Sequence, residues 1–434
     1  MAVLHKINPK LHQAMVDAAL PLETIETRAK PWFGNSNFNT LLQIGLDDAV
    51  RGADDTTRNS LIVDGKVMAH TIMRGALQET LMKELPAATA RRVQFGKTLC
   101  NIRGSPTDMD GIEIGFTDGT SESSFDLVVG CDGIKTAVKE FIETGSISRD
   151  AKGRKGSPAV YSGIRVRYAV QDLDAKSGTS QLPTRAQLRQ YFGDGGYALT
   201  GVYGAGPNRP PTKCAFTIFL DPDYIGPFKR RDGKAVDDQL KSTGRSGKVI
   251  PDSPEENVSW KQDDRKDIKD EMLRQIDQFG IPDVETKPII KGSDRFFELG
   301  VYFHLPFTLS GWSKEVKGSG GRYCTLCGDA AHAMPPFLGQ GSNQAIQDSF
   351  CLAETIAEYN SGRTSKPLSE LLKEYENLRW AATTEISAKA AFLGYVEAGP
   401  GLVSKFRDTL FFTLGKIGLA KKIFLGAATP KVDR

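Results

Sequence analysis

The stretch Cys327-Gly328-Asp329-Ala330-Ala331-His332-Ala333-Met334-Pro335-Pro336-Phe337-Leu338-Gly339-Gln340-Gly341-Ser342-Asn343 decides the fold of this chain. The apolar run Tyr323–Cys327 predicts a short buried strand, with Asp329 just past its carboxyl end. Open α/β sheets bind ligands at that edge. Pro335-Pro336 fixes an extended turn, and Gly339-Gln340-Gly341 forms a loop whose backbone N–H groups can approach a ligand with no Cβ in the way. Ser342 or Asn343 then caps a helix. Ala345, Ile346, Ser349/Phe350, Ala353 and Ile356/Ala357 recur along it with a period of about 3.6 and predict its buried face. The helix amino end carries roughly half a positive charge, which suits an anion or a group that becomes anionic during reaction.

Gly-Asp-Ala-Ala-His-x-Met-x-Pro-x-x-Gly-Gln-Gly-x-Asn closely resembles the second flavin-contacting motif of the class A FAD-dependent monooxygenases, the single-component aromatic hydroxylases. The resemblance implies an α/β fold: an FAD-binding Rossmann-like domain of the glutathione-reductase type, an inserted antiparallel β-sheet substrate domain, and C-terminal helices. It further implies that Gly328 and Asp329 meet the cofactor, Asp329 accepting a hydrogen bond from a ribityl hydroxyl. Gly339, Gln340, Gly341 and Ser342 would face the ring, Pro335 and Pro336 would hold the loop against it, and Asn343 would contact its pyrimidine side. His332 lies early in the motif and is expected to support the loop.

Two further stretches match the same family. Asp126-Leu127-Val128-Val129-Gly130-Cys131-Asp132-Gly133 is an apolar run ending in Asp-Gly, with a helix expected from Thr136. It looks like the family's Asp-Gly motif, so the resemblance sets Asp132 and Gly133 beside the pyrophosphate region. Lys139 stands where the family usually has Arg, which keeps the charge and loses the planar fork. Arg74 opens a helix expected from Met73 to Leu85, with Leu77, Leu81 and Leu85 on one face. A cation at a helix amino end is unfavourable by a few tenths of a kcal/mol. The resemblance supplies an anionic partner, because the family's Arg-x-x-Leu-x-x-x-Leu helix reaches the flavin cofactor.

One family feature is missing. Ala2 to Pro9 leads directly into a helix expected from Lys10 to about Leu20, where the family first has a βαβ unit carrying Gly-x-Gly-x-x-Gly. Gly318-Ser319-Gly320-Gly321, Gly193-Asp194-Gly195-Gly196 and Gly204-Ala205-Gly206 all lack that spacing. The expectation is an N-terminally truncated flavin domain that holds FAD weakly, any targeting segment lying in the missing region.

At 434 residues the chain is long enough for two or more domains. Hydrophobic content of 39% and charged content of 25% are those of a globular protein. Its 56 basic and 53 acidic residues give a net charge of +3, which offers no argument for a nucleic-acid partner. No apolar run is long enough to span a membrane, and the expected compartment is intracellular. The six cysteines are scattered and read as reduced thiols. Cys324-Thr325-Leu326-Cys327 has redox or zinc-type spacing, but it lies inside an apolar strand with no second ligand pair, so it reads as two buried strand cysteines and no metal site is expected.

The expected domains are 1–154, the first part of the FAD-binding domain; 155–300, the substrate domain; 301–364, the second part of the FAD-binding domain; and 365–434, a helical region. Strands are expected at Val93–Cys100, Gly111–Phe116 and Ser124–Val129, with a hairpin at Leu61–Met68. In the insertion, strands are expected at Tyr161–Tyr168, Gln187–Phe192, Tyr197–Tyr203 and Cys214–Leu220. An exposed insertion from Phe228 to Pro254 follows, then a helix from Lys266 to Phe279 with Ile268, Met272, Ile276 and Phe279 buried. Val301–Phe307 resembles the strand that returns to the flavin domain, and His304 packs on it. Leu368–Ala382 is similar to the family's Tyr-Glu-x-x-Arg helix. Phe406 to Leu425 mixes apolar residues with Lys416, Lys421 and Lys422; packing within the protein is its plain reading, peripheral membrane contact the alternative.

The function implied by the resemblance is insertion of one oxygen atom from O2 into an aromatic or isoprenoid-like small molecule, with FAD as cofactor and NADPH or NADH as cosubstrate. A truncated pseudoenzyme and an isoprenoid-chain flavin reductase are the rivals. Substrate, choice of nicotinamide and oligomeric state stay open.

Overall fold

The computed structural model describes residues 2–30, 38–105, 111–147, 159–173, 182–226, 229–230, 262–306 and 310–432. The expected insertion from Phe228 to Pro254 lies almost wholly outside them, as does Phe307. The chain forms two compact units.

The first unit comprises Met1–Leu85, Tyr161–Val301 and Phe392–Thr429. Its frame is an eight-stranded sheet in the order Arg295–Phe303, Val160–Asp172, Thr212–Leu220, Gly196–Tyr203, Ala186–Gly193, Leu20–Ala29 and Asn39–Gly45, with His70–Thr71 paired to the start of Leu20–Ala29. The middle strands pair antiparallel. Leu20–Ala29 joins parallel to Ala186–Gly193, Leu22 standing opposite Ala186. One face is covered by the helices Gln262–Gln278 and Asp283–Gly292, and there Met272, Ile276 and Ile290 pack on Tyr191, Ala198 and Ala215. Ile268 and Phe279 flank that core partly buried. Asp64 and Gly65 both take positive φ, 48° and 75°, in the tight turn of the Ile62–Val67 hairpin.

Leu20–Ala29 and Asn39–Gly45 join this sheet through partners far along the chain, and local pattern does not announce them. Residues 1–85 therefore group with the inserted sheet, and so do the helices Leu402–Lys416 and Leu419–Ala428. This differs from the expected division at residue 154, although the changes of unit at Val160 and Val301 fall close to the expected insertion limits. Arg295–Phe303 is an edge strand of the eight-stranded sheet and stops before His304, so Val301–Phe307 is not a separate returning strand.

The second unit comprises Pro86–Val160, Tyr302–Ala391 and Pro430–Arg434. It holds a three-stranded sheet, Ser313–Glu315, Tyr323–Leu326 and Leu127–Gly130, and a separate antiparallel sheet, Leu99–Gly104, Ile112–Phe116 and Ser121–Phe125. The single strand expected at Ser124–Val129 is two strands in two sheets, because the chain bends at Asp126, just past the strand end where Ser124 takes a positive φ of 70°. Val93–Thr98 is irregular chain with a bend at Phe95–Gly96, and the strand starts only at Leu99. The helix expected to end near Ala382 runs 31 residues, Leu368–Ala398.

Candidate functional site

The second unit's parallel pair positions the site. Tyr323–Leu326 lies beside Leu127–Gly130 in the register Leu326 to Gly130, so both strands end together. Cys131-Asp132-Gly133 and Cys327-Gly328-Asp329 leave the sheet side by side at its carboxyl edge. Beyond the first, the helix Ala137–Thr144 starts from Thr136, whose hydroxyl accepts from Lys139 N, as expected. Beyond the second come the turn Asp329–His332, a 3-10 turn at Pro336–Leu338, and the helix Gly341–Asn360.

Asp329 is exposed, and among the described residues its carboxylate has no hydrogen-bonding partner. A Cβ placed on Gly341 would stand 3.9 Å from Asp329 Oδ1, so the carboxylate lies next to the start of the following helix. Gly328 holds φ 63° and ψ −140°, a conformation closed to other residues, and this reverses the chain between strand and turn. Pro335 is buried and Pro336 exposed. Gly339 takes φ 63° with open space around it. The helix begins at Gly341 with Gln340 as its cap residue, ahead of the expected Ser342 or Asn343. No side chain caps it, so its first amides are left for another acceptor. Gln340 is 6% exposed and its Oε1 accepts from Asn343 Nδ2 at 3.1 Å. Ser342 and Asn343 are exposed.

On the neighbouring strand, Asp132 Oδ2 accepts from Ala137 N at 2.6 Å and so caps the next helix. Gly133 takes φ 74° and faces open space. Lys139 is 3% exposed, and burial draws its ammonium down to about 8. Arg74 belongs to the first unit, where it is exposed at the start of the helix Arg74–Lys83.

The buried face of Gly341–Asn360 differs from the expected one. Gln344, Gln347, Asp348, Cys351, Leu352 and Thr355 are buried, while Ser349, Ala353 and Ala357 are exposed. The cause is Arg379 of the long helix, fully buried against that face. Its Nε donates to Asp348 Oδ1 at 2.7 Å, and its terminal nitrogens donate to Gln344 Oε1 at 2.6 Å, Gln347 Oε1 at 3.3 Å and Lys431 O at 2.6 Å. Asp348 Oδ2 also accepts from Gly328 N at 2.9 Å and from His332 Nε2 at 2.5 Å. Burial raises the Asp348 carboxyl, but His332 and Arg379 more than offset it and hold the group below its ordinary range. Tyr375 Oη, one turn before Arg379, donates to Leu326 O at 3.0 Å.

His332 is thus spent on fixing the loop. His304 is 2% exposed and its Nε2 donates to Ile134 O at 3.0 Å. Burial, with Lys139 nearby, drives it down to about 4, so it is neutral at pH 7. Asp348, Gln344 and Gln347 were missed by sequence reasoning, whereas His332 was expected to support the loop and Arg379 belongs to the Tyr-Glu-x-x-Arg helix that the sequence showed. Three polar residues at helical spacing, Gln344, Gln347 and Asp348, facing a later Tyr-Glu-x-x-Arg helix are the signal that could have found them. Among the described residues no cluster of ligands could hold a metal ion.

The model of an FAD binding domain matches residues 319–390, the stretch from the motif strand to the end of the Arg379 network. Salicylate hydroxylase from Pseudomonas putida is 24% identical over 335 residues, covering 76% of this chain and 62% of that protein. A 3-amino-4-hydroxybenzoate 2-monooxygenase from Streptomyces cremeus is 24% identical over 325 residues, covering 74% of this chain and 61% of its own length. The chain thus spans about three-fifths of these curated relatives. Among solved structures, Klebsiella pneumoniae HpxO complexed with FAD and uric acid superposes with a TM-score of 0.66 at 16% identity, covering 100% of this chain and 87% of that one, which shows a shared fold. In sequence the chain is similar to these hydroxylases and monooxygenases, and in fold to the FAD-complexed HpxO.

Proposed function

We propose that this chain uses FAD and NAD(P)H to insert one oxygen atom from O2 into an aromatic or isoprenoid-like small molecule. The observation that carries the reading is the exposed Asp329 carboxylate, without a partner among the described residues, beside the uncapped amino end of Gly341–Asn360. A cofactor with hydroxyls on its chain and a ring that becomes anionic on reduction fits both features. Bound there, FAD supplies the hydride acceptance and the oxygen activation.

The protein's part is placement and electrostatics. Asp329 would accept a hydrogen bond from a ribityl hydroxyl. The first amides of the helix, with its dipole behind them, would stabilise negative charge developing on the ring. Gly339 and Gly341 let the backbone come close, Pro335 and Pro336 stiffen the approach, and Gln340 and Asn343 fix each other's amides beside it. Asp132 holds the adjacent loop so that Gly133 offers an unobstructed backbone.

The test is to load the chain with FAD, supply NADPH or NADH under 18O2, and offer aromatic acids such as salicylate, the substrate class named by the relatives. One labelled oxygen in the product, with O2 consumed as nicotinamide is oxidised, is the expected result. Nicotinamide oxidation without O2 uptake would instead identify a reductase.

A peripheral membrane contact is a second proposal, favoured by Leu402, Phe406 and Ile417, which are 82%, 57% and 65% exposed beside the exposed Lys416 and Lys422. Among the described residues no helix is long and apolar enough to cross a membrane. Sedimentation with phosphatidylserine vesicles, lost in Leu402→Ser/Phe406→Ser, is the expected outcome; equal sedimentation of both proteins would refute it.

A further inference from the structure

The six cysteines are all free thiols, yet two are neighbours by register. Leu326 stands opposite Gly130, and Cys327 N donates to Gly130 O at 3.0 Å, so the next residues on the two parallel strands are Cys327 and Cys131. Their thiols are near enough for each to shift the other's protonation. Neighbouring strands lie about 4.8 Å apart, inside the Cα separation of roughly 4.4 to 6.8 Å that a disulfide spans. Neither thiol is used in the proposed oxygen chemistry, and the pair sits between Asp132-Gly133 and Gly328-Asp329.

We propose that Cys131 and Cys327 form a redox-responsive pair, closed to a disulfide by hydrogen peroxide, that ties together the ends of the two strands bearing the site. The two thiols have different surroundings and hence different roles. Cys131 is exposed to an incoming oxidant, and the neighbouring Cys327 thiol draws it below the ordinary thiol range. Cys327 is 5% exposed, with Ser349 Oγ at 3.5 Å; the neighbouring Cys131, together with burial, raises it. The Cys131 thiolate attacks one peroxide oxygen, the O–O bond breaks, and hydroxide leaves to give a sulfenic acid. The Cys327 thiol then attacks the Cys131 sulfur; the S–S bond forms, the S–O bond breaks, and the sulfenic hydroxide leaves as water with the Cys327 proton, while the proton released when Cys131 ionised neutralises the hydroxide of the first step. Two thiols and one peroxide yield one disulfide and two waters. Cys324, fully buried in the same strand, is three residues away and lies outside this pairing, so the Cys-x-x-Cys spacing is not the functional one.

The test treats the full chain with hydrogen peroxide, blocks remaining thiols under denaturing conditions, and maps peptides without reduction. The expected result is a peptide linked through Cys131 and Cys327, two hydrogens lighter than the sum of its parts. Reactive thiols should fall from six to four. Cys131→Ser and Cys327→Ser should each abolish the link, while Cys324→Ser retains it and serves as the folded control. Sulfinic or sulfonic acid on Cys131 with no link, or a link through Cys324, would overturn the proposal.

Discussion

Asp348 is a fully buried carboxylate kept charged by its neighbours. Arg379, His332 and the Gly328 amide all donate to it, and without them burial would favour the neutral acid. Because Gly328 is the hinge of the motif, this one side chain ties the candidate site to the long helix. Asp348→Asn leaves the Arg379 guanidinium buried beside a neutral amide, and such breaks cost about 3–5 kcal/mol. Chemical denaturation should show that loss; a change under about 1 kcal/mol would mean the pair adds little. The lowered carboxyl also fixes a sign. Asp348 contributes stability above the ordinary carboxylate range, and that contribution is lost as pH falls through its depressed value.

Two glycines in one strand-to-helix element are needed for different reasons. A Cβ on Gly130 would come within 2.6 Å of Val138 Cβ, so the helix Ala137–Thr144 lies as close to the strand as it can. Gly130→Ala should therefore cost about 1–3 kcal/mol by overpacking, and pairing it with Val138→Ala should recover part of that loss. Gly133 has free space but a φ of 74°. Gly133→Ala should cost about 1–2 kcal/mol, and Gly133→Asn less, because Asn tolerates the left-handed region. Equal costs for Ala and Asn at residue 133 would show that space, not backbone angle, matters there. The strand, Asp-Gly turn and Thr136 cap were legible in sequence because their geometry is set by residues a few positions apart. The buried face of Gly341–Asn360 was not, because a polar partner at Arg379 reverses which side of the helix is inside.

At the scale of the molecule, the grouping of segments was the least legible feature, since Leu20–Ala29 finds its neighbour only at Ala186–Gly193. Stability against pH is also a property of the whole chain, and Glu397 gives it a second sign. It is 3% exposed with Oε2 unpartnered, and burial pushes its carboxyl up from 4.5 to about 7. Below 4.5 its contribution is fully present, and as pH rises through 7 the fold loses on the order of 3 kcal/mol. Glu397→Gln removes that titration, so melting curves from pH 5 to 8 should show the variant gaining on the parent as pH rises; a constant difference would place the Glu397 carboxyl near its ordinary value. The central claim is that the edge around Asp329 faces the flavin. Its most direct test is FAD titration of the chain, followed by flavin fluorescence, alongside Asp329→Ala and Cys324→Ser. Affinity weakened about tenfold or more, the loss of a charged hydrogen bond, is predicted for Asp329→Ala, with Cys324→Ser matching the parent. Equal losses in both variants, or none in Asp329→Ala, would contradict the account.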